Sequence, residues 1–307
     1  MKWRKSSARL STVAGHGLYT IFIYVLLFGL AFVFLYPYLY MLTTSFKSYN
    51  DLINSTVKWF PKEFAPENYR LAAQALDFVH SGLNTIFVAG VSTIGHVFVC
   101  SFVAYGFARF QFVGRNILFA VVILSIVVPV QTLIVPQYIT WVNLNVADSY
   151  WPIILPTFLG YGLRGGLFIF LFNQQFIKLP RVLEEAAEID GCGPIRTFFR
   201  IALPTAGATI VVCAVLSVVW HWNEFFESSI YLSRQSEWLL PQSLPSMYSL
   251  IQSLATAEQP WMMEMQFTYH EGVVMAGTAL ATLPLLIFYM FMQRKFMASI
   301  ERSGIVE

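Results

Sequence analysis

Charged side chains are scarce in this chain of 307 residues. Asp, Glu, Lys and Arg make up only 12% of it, whereas 57% is hydrophobic and 17% is aromatic. So few charges could not cover the surfaces of the one or two soluble domains that this length would form. The composition excludes an ordinary soluble protein and favours a polytopic membrane protein. The net charge of +2 gives no indication of nucleic-acid binding.

Several kinds of chemistry also lack the residues that they need. The three cysteines are too few for a disulfide framework, and the histidines are scattered singly, without the spacing of metal ligands. No Gly-Lys dipeptide is present for a phosphate-binding P-loop. Gly160-x-Gly162-x-x-Gly165 matches a dinucleotide fingerprint in form, but it lies in an apolar run rather than after a strand. The sequence therefore predicts no metal, no cofactor and no ATP site of its own.

Long runs without charge are what the sequence has instead. A transmembrane helix needs about 20 apolar residues, and six stretches are long enough, the fourth being interrupted only by Arg164. They are Gly17–Phe46, Phe78–Ala108, Asn116–Ala147, Ser149–Ile177, Ile201–Asn223 and Gly272–Gln293. The first is too long for the apolar core of a cleavable signal peptide. The sequence thus predicts an all-α membrane protein with six transmembrane helices.

The basic residues are distributed unevenly between the two sides of these spans. Six spans place both termini on one side, where 13 of the 19 Lys and Arg residues fall, against five on the other. Cytoplasmic loops are the ones enriched in Lys and Arg, so both termini are expected in the cytoplasm. This predicts a cytoplasmic segment at 1–16, a transmembrane domain at 17–293 and a cytoplasmic tail at 294–307.

The densest charge cluster lies between the fourth and fifth spans, on the predicted cytoplasmic side. The segment Leu179–Gly191 has the pattern of a short helix, with Pro180 near its first turn and Gly191 suited to a left-handed stop. The small side chains of Ala186 and Ala187 would let another protein approach the helix closely. The acidic residues around them are Glu184, Glu185, Glu188 and Asp190. The pattern favours docking of another protein over catalysis.

A fixed spacing extends this segment over 20 positions. Glu185-Ala186-Ala187 is followed by Gly191 and then by Ile201-x-Leu203-Pro204, as in the EAA loop of ABC importer permeases. Matching residues elsewhere are Pro37, Ser45-Phe46-Lys47, Pro66-Glu67-Asn68-Tyr69, Val128-Pro129-Val130-Gln131, Pro136, Trp222-Asn223-Glu224-Phe225 and Leu283-Pro284. Over nearly its whole length the chain resembles the carbohydrate-uptake permeases of the maltose-transporter type.

The resemblance implies a non-enzymatic membrane subunit that forms a sugar pathway with a second permease subunit. Two ABC ATPase subunits, which bind the ATP, and an extracytoplasmic solute-binding protein would complete the importer. The EAA helix would be the coupling helix, seated in a cleft of the ATPase, whose closure flips the pathway from inward-facing to outward-facing. The implied coupling residues are Glu184, Glu185, Ala186, Ala187, Asp190 and Gly191. The tail departs from the family, since Glu307 stands where a Lys-Gly ending is common.

Arg164 is the charge placed deepest in a predicted span, and such a residue is a functional candidate because an unpaired buried charge is costly. Two interpretations stay open: contact with solute hydroxyls or carboxylates, or bonding to backbone carbonyls freed near the glycines. Nearby aromatic rings could stack on sugar rings. The candidate pathway residues are Arg164, Tyr161, Trp220, Trp222, Asn223 and Glu224. Glu224 and Glu227 are interpreted as interfacial acids rather than catalytic ones.

Two alternative functions would need residues of other kinds. A membrane-embedded enzyme needs a cluster of Asp, His, Ser or Cys at membrane depth, and a secondary transporter often has inverted repeats or buried acids. The sequence shows neither. Among importers, the solute is expected to be a sugar or oligosaccharide, including an acidic one, with a peptide or amino acid as the alternative.

One outward loop, Leu244–Tyr269, is longer than expected between the last two spans. It carries Trp261, Met262, Met263 and Met265. The loop is interpreted either as a docking surface for the solute receptor or as a segment lying against the membrane surface. Copper binding by its methionines is the least favoured reading.

Overall fold

The structure is a computed structural model that describes residues 3–255 and 268–304. Its helices are α1 (Trp3–Ser45), α2 (Tyr49–Ile53), α3 (Glu67–Ala75), α4 (Phe78–Gly95), α5 (Ser101–Arg109), α6 (Arg115–Val127), α7 (Val130–Asn143), α8 (Trp151–Phe158), α9 (Gly165–Lys178), α10 (Arg181–Ile189), α11 (Pro194–Thr197), α12 (Leu203–Thr205), α13 (Gly207–Trp222), α14 (Phe226–Tyr231), α15 (Leu240–Ala255) and α16 (Glu271–Gly304). Two π-helical turns, His96–Cys100 and Phe198–Ala202, and a 3₁₀ turn, Gln235–Glu237, lie between them. Within these ranges the chain forms no strand beyond an isolated bridge, which confirms the all-α prediction for the described residues.

Three helices are long and apolar enough to cross a membrane without a break: Tyr19–Ser45, Phe78–Arg109 and Glu271–Ala298. Two more candidates are bent pairs. Helices α6 and α7 meet at 103°, and Pro194–Thr205 meets α13 at 78°. The described residues thus contain between three and five candidate spans, and the count of six stays a prediction.

The breaks in the apolar runs have local causes. Val128 is extended before Pro129, which is the conformation that a following proline favours, and it separates α6 from α7. The predicted fourth span is divided into α8 and α9 by a turn in which Gly160 and Gly162 adopt positive φ. Arg164 therefore lies in this turn, before α9, and not within a continuous span.

The chain divides into two compact units. The first comprises Met1–Leu71 and Leu254–Ala279, and the second comprises Ala72–Ser253 and Leu280–Glu307. Helices α1 and α16 run without a break across the positions where the sequence predicts the ends of the transmembrane domain, so those boundaries stay predictions. The aromatic and methionine residues at 261–265 and the terminal Glu307 lie outside the described residues.

The first unit has a folded segment directly after α1. The ring of Phe46 stacks on Phe64 with centroids 4.6 Å apart, and Lys47 pairs with Phe64 in an antiparallel bridge. The buried side-chain amide of Asn68 donates to the carbonyl oxygens of Ser45 and Lys47, both at 2.9 Å. These contacts give a defined conformation to a loop that the charge distribution predicts to lie outside the cell.

The second unit has its main core where α5 packs along α9. Small side chains on α5, such as the fully buried Ala104, let the two helices approach closely. Phe168, Phe172 and Phe176 follow one another at intervals of four residues, so they share one face of α9, and all three are fully buried. The amide of Asn173 also donates to the carbonyl oxygen of Ala104 at 3.3 Å. This packing fixes the start of α9, and with it the turn that carries Arg164.

Candidate functional site

The turn between α8 and α9 is tightly closed. Gly160 and Gly162 have φ angles of +71° and +88°, in the left-handed region that glycine adopts without strain. A Cβ atom on Gly162 would lie 3.2 Å from the backbone nitrogen of Thr157, and one on Gly165 would lie 2.9 Å from the carbonyl oxygen of Gly160. The glycines are therefore needed both for the backbone conformation and for the close approach of the two ends of the turn.

Arg164 ends this turn and caps the N-terminus of α9. Its φ of +62° is left-handed, which costs a residue with a Cβ roughly 1–2 kcal/mol. Its exposed side chain lies over the ring of Trp220 on α13, with the guanidinium carbon 4.7 Å from the ring centroid. This cation–π contact favours the observed position of the charge. A strained arginine held over an aromatic ring is a feature typical of functional sites.

A cavity of about 360 Å³ lies beside the turn, bounded also by the α6–α7 break and by the residues that follow α13. Apolar residues such as Val127, Leu133 and Phe226 form much of its wall. Its polar lining residues are Ser125, Gln131, Tyr161, Arg164, Glu224 and Glu227. A cavity in which converging polar groups stand among apolar side chains is the usual form of a small-molecule site.

The two acids in this wall have different environments. Glu224 is partly exposed, and its Oε1 accepts a hydrogen bond from the backbone nitrogen of Glu227 at 2.9 Å. Glu227 is only 8% exposed. Burial, and to a smaller degree the Glu224 carboxylate, raise the pKa of Glu227 from 4.5 to about 8. At neutral pH Glu227 therefore keeps its proton, so a neutral acid lies in the wall that also carries Arg164.

The six pathway candidates from the sequence do not all reach this cavity. Arg164, Tyr161 and Glu224 line it, and Trp220 supports Arg164. Trp222 is instead buried in packing, where its indole nitrogen donates to the carbonyl oxygen of Ala281 at 3.1 Å. Residues two apart on a helix point to different sides, so Trp220 and Trp222 cannot share this role.

Asn223 does not line the cavity either. Its side-chain amide donates back to the carbonyl oxygen of Val219 at 2.7 Å. Three polar lining residues are not among the six candidates from the sequence: Ser125, Gln131 and Glu227. Two of them have a local signal, since Gln131 lies two positions after Pro129 at the helix break, and Glu227 comes three residues after Glu224 in the same short segment.

The predicted docking segment forms α10, which begins after Pro180 and ends at Ile189. Gly191 follows with a φ of +76°, the left-handed stop that the sequence predicts. The backbone nitrogen of Cys192 donates to the carbonyl oxygen of Ala187 at 2.8 Å, and that of Gly191 donates to the carbonyl oxygen of Glu188 at 2.9 Å. This pair of bonds is a Schellman motif, which satisfies the last carbonyl groups of the helix.

The two faces of α10 differ in character. Val182 and Ile189 are 70% and 87% exposed, and Glu185 and Ala186 also lie on the exposed side. Ala187 is buried, with 6% of its surface exposed, because adjacent residues on a helix point in different directions. The alanine pair therefore contributes one residue to the open surface and one to the interior.

Glu184 and Asp190, the other candidates on this segment, lie on opposite ends of α10. Asp190 is the exposed C-cap residue. Glu184 turns inward, where its Oε1 lies 2.9 Å from Nε of Arg109 on α5. A polar cavity of about 250 Å³, lined in part by Tyr105, Arg109 and Glu185, adjoins this ion pair. The segment thus has an open apolar and acidic face, and an inner face tied to a long apolar helix.

Comparison with known proteins identifies the family to which the chain belongs. Residues 96–302 match the family described as binding-protein-dependent transport system inner membrane component. The chain belongs to this family. The permease is 31% identical to protein LplC of Bacillus subtilis (strain 168) over 268 residues, which are 87% of this chain and 88% of LplC. It is 26% identical to the polygalacturonan/rhamnogalacturonan transport system permease protein YtcP of the same strain, over 91% of this chain and 95% of YtcP.

A solved structure shares the fold of the permease. It is that of a bacterial ABC transporter involved in the import of the acidic polysaccharide alginate, with a TM-score of 0.75, 20% sequence identity and coverage of 91% of this chain and 96% of the other. These matches confirm the resemblance to carbohydrate-uptake permeases of ABC importers. The protein is a membrane transport component and not an enzyme, and in such importers ATP is bound by the partner ATPase.

Proposed function

We propose that the permease lines, together with a second permease subunit, an alternating-access pathway for an oligosaccharide. The cavity beside Arg164 is the observation that carries this proposal. Arg164 offers forked donors, Glu224 offers acceptors and Tyr161 offers a ring with a hydroxyl group. Such a set suits a solute with many hydroxyl groups on apolar-faced rings, and less well a free amino acid or peptide.

The relatives support a saccharide as the solute. YtcP is named for polygalacturonan and rhamnogalacturonan transport, and the AraQ protein of Halalkalibacterium halodurans, 26% identical over 90% of this chain and 92% of AraQ, is named for arabinooligosaccharides. Both acidic and neutral saccharides therefore occur among the names. The choice between them for this permease rests on the charges of its own cavity.

The guanidinium fork of Arg164 favours an oligosaccharide that contains a uronate. A guanidinium group binds a carboxylate through two parallel hydrogen bonds, which a neutral sugar cannot reproduce. Glu227 has a pKa of about 8 and is neutral at pH 7, so it would not repel the uronate. Glu224 can accept hydrogen bonds from sugar hydroxyls. We assign Arg164 as the residue that selects the acidic sugar.

The remaining parts of the importer follow from the position of α10. We propose that α10 docks on one of two ABC ATPase subunits through Val182, Glu185, Ala186 and Ile189, with Gly191 ending the helix at the required place. Both termini are then cytoplasmic, in the inner membrane of a bacterium. An extracytoplasmic solute-binding protein delivers the oligosaccharide from the opposite side.

Uptake by the assembled importer in proteoliposomes tests the solute. The solute-binding protein is supplied to the importer. Uptake of labelled trigalacturonate and of labelled maltotriose is then measured for the unmodified permease and for Arg164→Gln. We expect trigalacturonate uptake to fall by more than about tenfold in the variant, as for the loss of a charged hydrogen-bonded contact, and maltotriose uptake to fall less. Arg164→Lys should keep part of the activity because it keeps the charge without the fork.

Arg234→Gln is the matched control, since it removes an exposed arginine that pairs with Asp148 away from the cavity. It should leave uptake unchanged. Unchanged uptake in a correctly assembled Arg164→Gln complex would refute the pathway role of Arg164. Loss of assembly in that variant would instead support a structural role for the arginine.

A further inference from the structure

A buried histidine contacts the back of the Arg164 turn. His96 begins the π-helical turn between α4 and α5 and is 0% exposed. Its Nε2 lies 3.2 Å from the carbonyl oxygen of Tyr161, and its Nδ1 lies 3.1 Å from Oγ of Ser217 on α13. One side chain thus joins three separate segments of the second unit. Single π-helical turns inside α-helices are frequently found at functional sites.

The neighbouring groups determine which nitrogen of His96 carries the proton. Carbonyl oxygens only accept hydrogen bonds, so Nε2 must donate to Tyr161. The hydroxyl of Thr93 donates to Oγ of Ser217 at 3.0 Å. His221 Nδ1 uses its own proton toward the Ser217 carbonyl oxygen at 2.9 Å. The Ser217 hydroxyl proton is then left for Nδ1 of His96, and a neutral ring satisfies every bond.

The result is a directed chain of hydrogen bonds from Thr93 through Ser217 and His96 to the turn. The fit at its end is close, because a Cβ atom on Gly162 would lie 3.4 Å from Nε2 of His96. The ring of His96 also packs against Phe168, with centroids 4.9 Å apart. The histidine therefore supports the turn by contact as well as by its hydrogen bond.

We propose that His96 is a positioning residue for the solute pathway, which sets the place of Arg164 through its bond to the Tyr161 carbonyl oxygen. This inference rests on the proposed function of the cavity. Tyr161 and Arg164 are three residues apart in a turn with three left-handed residues, at Gly160, Gly162 and Arg164. Such a strained turn needs support from its surroundings, and Nε2 of His96 supplies it at the centre of the turn.

Two substitutions of His96 separate its two hydrogen bonds. In His96→Gln the amide nitrogen reaches about as far as Nε2, so the bond to Tyr161 can be kept. In His96→Asn the side chain reaches only as far as Nδ1, so the bond to Ser217 can be kept and the bond to Tyr161 is lost. His80→Asn is a matched control, because Nε2 of His80 also bonds a carbonyl oxygen, that of Ser236 at 2.7 Å, away from the cavity.

The first measurement is the concentration dependence of trigalacturonate uptake by the assembled importer. We expect His96→Asn to raise KM by about tenfold, as for one lost buried hydrogen bond. His96→Gln should stay within about twofold of the unmodified permease, and His80→Asn should not differ from it. A merely structural role would affect Gln and Asn alike.

The second measurement does not depend on the solute. A cysteine placed at Leu163, a residue of the turn that lines the cavity, is labelled with a charged methanethiosulfonate in a permease whose partly exposed Cys192 is replaced by serine. Labelling should be several-fold faster with His96→Asn than with His96→Gln, because the turn is no longer held. Equal rates and equal KM values in the two variants would overturn the proposal.

The two readouts also distinguish this inference from the proposed function. If the unmodified importer takes up no trigalacturonate but labelling still differs between Asn and Gln, the solute is wrong and the positioning role stands. If His96→Asn does not assemble, Ser217→Ala decides, because it removes only the hydroxyl that orients the ring. About a threefold rise in KM or in labelling rate would support the proposal, and no change in either would overturn it.

Discussion

Nε of Arg109, in the last turn of α5, lies 2.9 Å from Oε1 of Glu184 in the first turn of α10. Nη2 of the same arginine donates to the carbonyl oxygen of Leu179 at 2.7 Å. Both side chains are mostly shielded, with 9% and 13% of their surfaces exposed. Helix α10 is therefore tied at its start to the end of Phe78–Arg109, one of the unbroken apolar helices. A displacement of α10 by a partner would reach that helix directly through this pair.

Removing Arg109 should both destabilise the permease and weaken coupling. In Arg109→Met, Glu184 would remain largely buried without its partner, which we expect to cost about 3 kcal/mol of stability. Thermal unfolding of the purified permease, followed by intrinsic fluorescence, measures the loss, and solute-stimulated ATPase activity of the assembled complex measures the coupling. The double variant with Glu184→Met should recover part of the stability, because the orphaned carboxylate is gone.

Arg196→Met is the control for this experiment, since Arg196 is an exposed arginine of α11 close by in the chain. It should change the unfolding temperature little. If the single and double variants at 109 and 184 lose equal stability, the ion pair does not have the proposed energetic role. Recovery of stability without recovery of stimulated ATPase activity would show that the pair itself transmits movement.

Gly191→Val should uncouple the importer without removing the permease from the membrane. A Cβ atom on Gly191 meets nothing within 4 Å, so the effect comes only from its φ of +76°. A β-branched residue disfavours that conformation, and the end of α10 would have to move. Co-purification of the ATPase and solute-stimulated ATPase activity should both fall in membranes with normal permease levels.

Gly193→Val is the matched control for this change. Gly193 lies two residues away, also without atoms within 4 Å of a built Cβ, but its φ is −73°. Valine tolerates that value, so coupling should persist. Normal transport by Gly191→Val, or equal losses from both variants, would argue against a role for the left-handed stop.

The sequence predicts α10 well because the signals are local. Pro180 and Gly191 limit the helix through their own backbone preferences, and both lie where the pattern indicates. The partner of Glu184 could not be predicted in the same way, since Arg109 is 75 positions away and only the packing of α5 against its neighbours brings the two together.

Apolar composition is a weaker guide to the pathway. It does not distinguish a continuous span from two helices joined by a turn, so the glycines around Arg164 indicate an opened helix only as one of two interpretations, and the turn at Gly160–Arg164 is seen only in the structure. Composition also does not tell which side of α13 faces the cavity. The sequence therefore gives Trp220 and Trp222 as equal candidates for the pathway. Only the structure shows that Trp220 lies under Arg164 and that Trp222 packs against Ala281.

The predicted orientation can be tested with single cysteines. Ser55 is exposed in the loop after α1, and Val113 is fully exposed between α5 and α6. If both termini are cytoplasmic, Ser55→Cys should react with an impermeant thiol reagent in intact cells, and Val113→Cys should react only after the membrane is opened. Cys192 is replaced by serine in both. The reversed pattern of labelling would overturn the topology.

Glu227 should make the stability of the permease depend on pH. Its pKa is about 8 in the folded protein, against 4.5 ordinarily, chiefly because it is buried and secondly because Glu224 is near. The folded state therefore holds a proton that the unfolded chain releases between these two values. The corresponding stabilisation is complete below about pH 4.5 and is lost as the pH rises through about 8.

Glu227→Gln should remove this dependence, because the amide is close to the protonated acid in shape and does not titrate. Unfolding temperatures measured from about pH 5 to about pH 9 should fall more steeply for the unmodified permease than for the variant. The two curves should therefore separate progressively toward alkaline pH. Parallel curves over the whole range would contradict the assignment of a buried, protonated acid.

Glu224→Gln provides the internal test of the cause. Without the neighbouring carboxylate, the pKa of Glu227 should move down, so the loss of stability should be smaller and should level off at a lower pH than in the unmodified permease. Burial is the larger cause, and for that reason the dependence should shift without disappearing. A curve in which Glu224→Gln abolishes the pH dependence altogether would mean that the repulsion between the two acids, and not the burial of Glu227 in the wall of the cavity, keeps its proton in place.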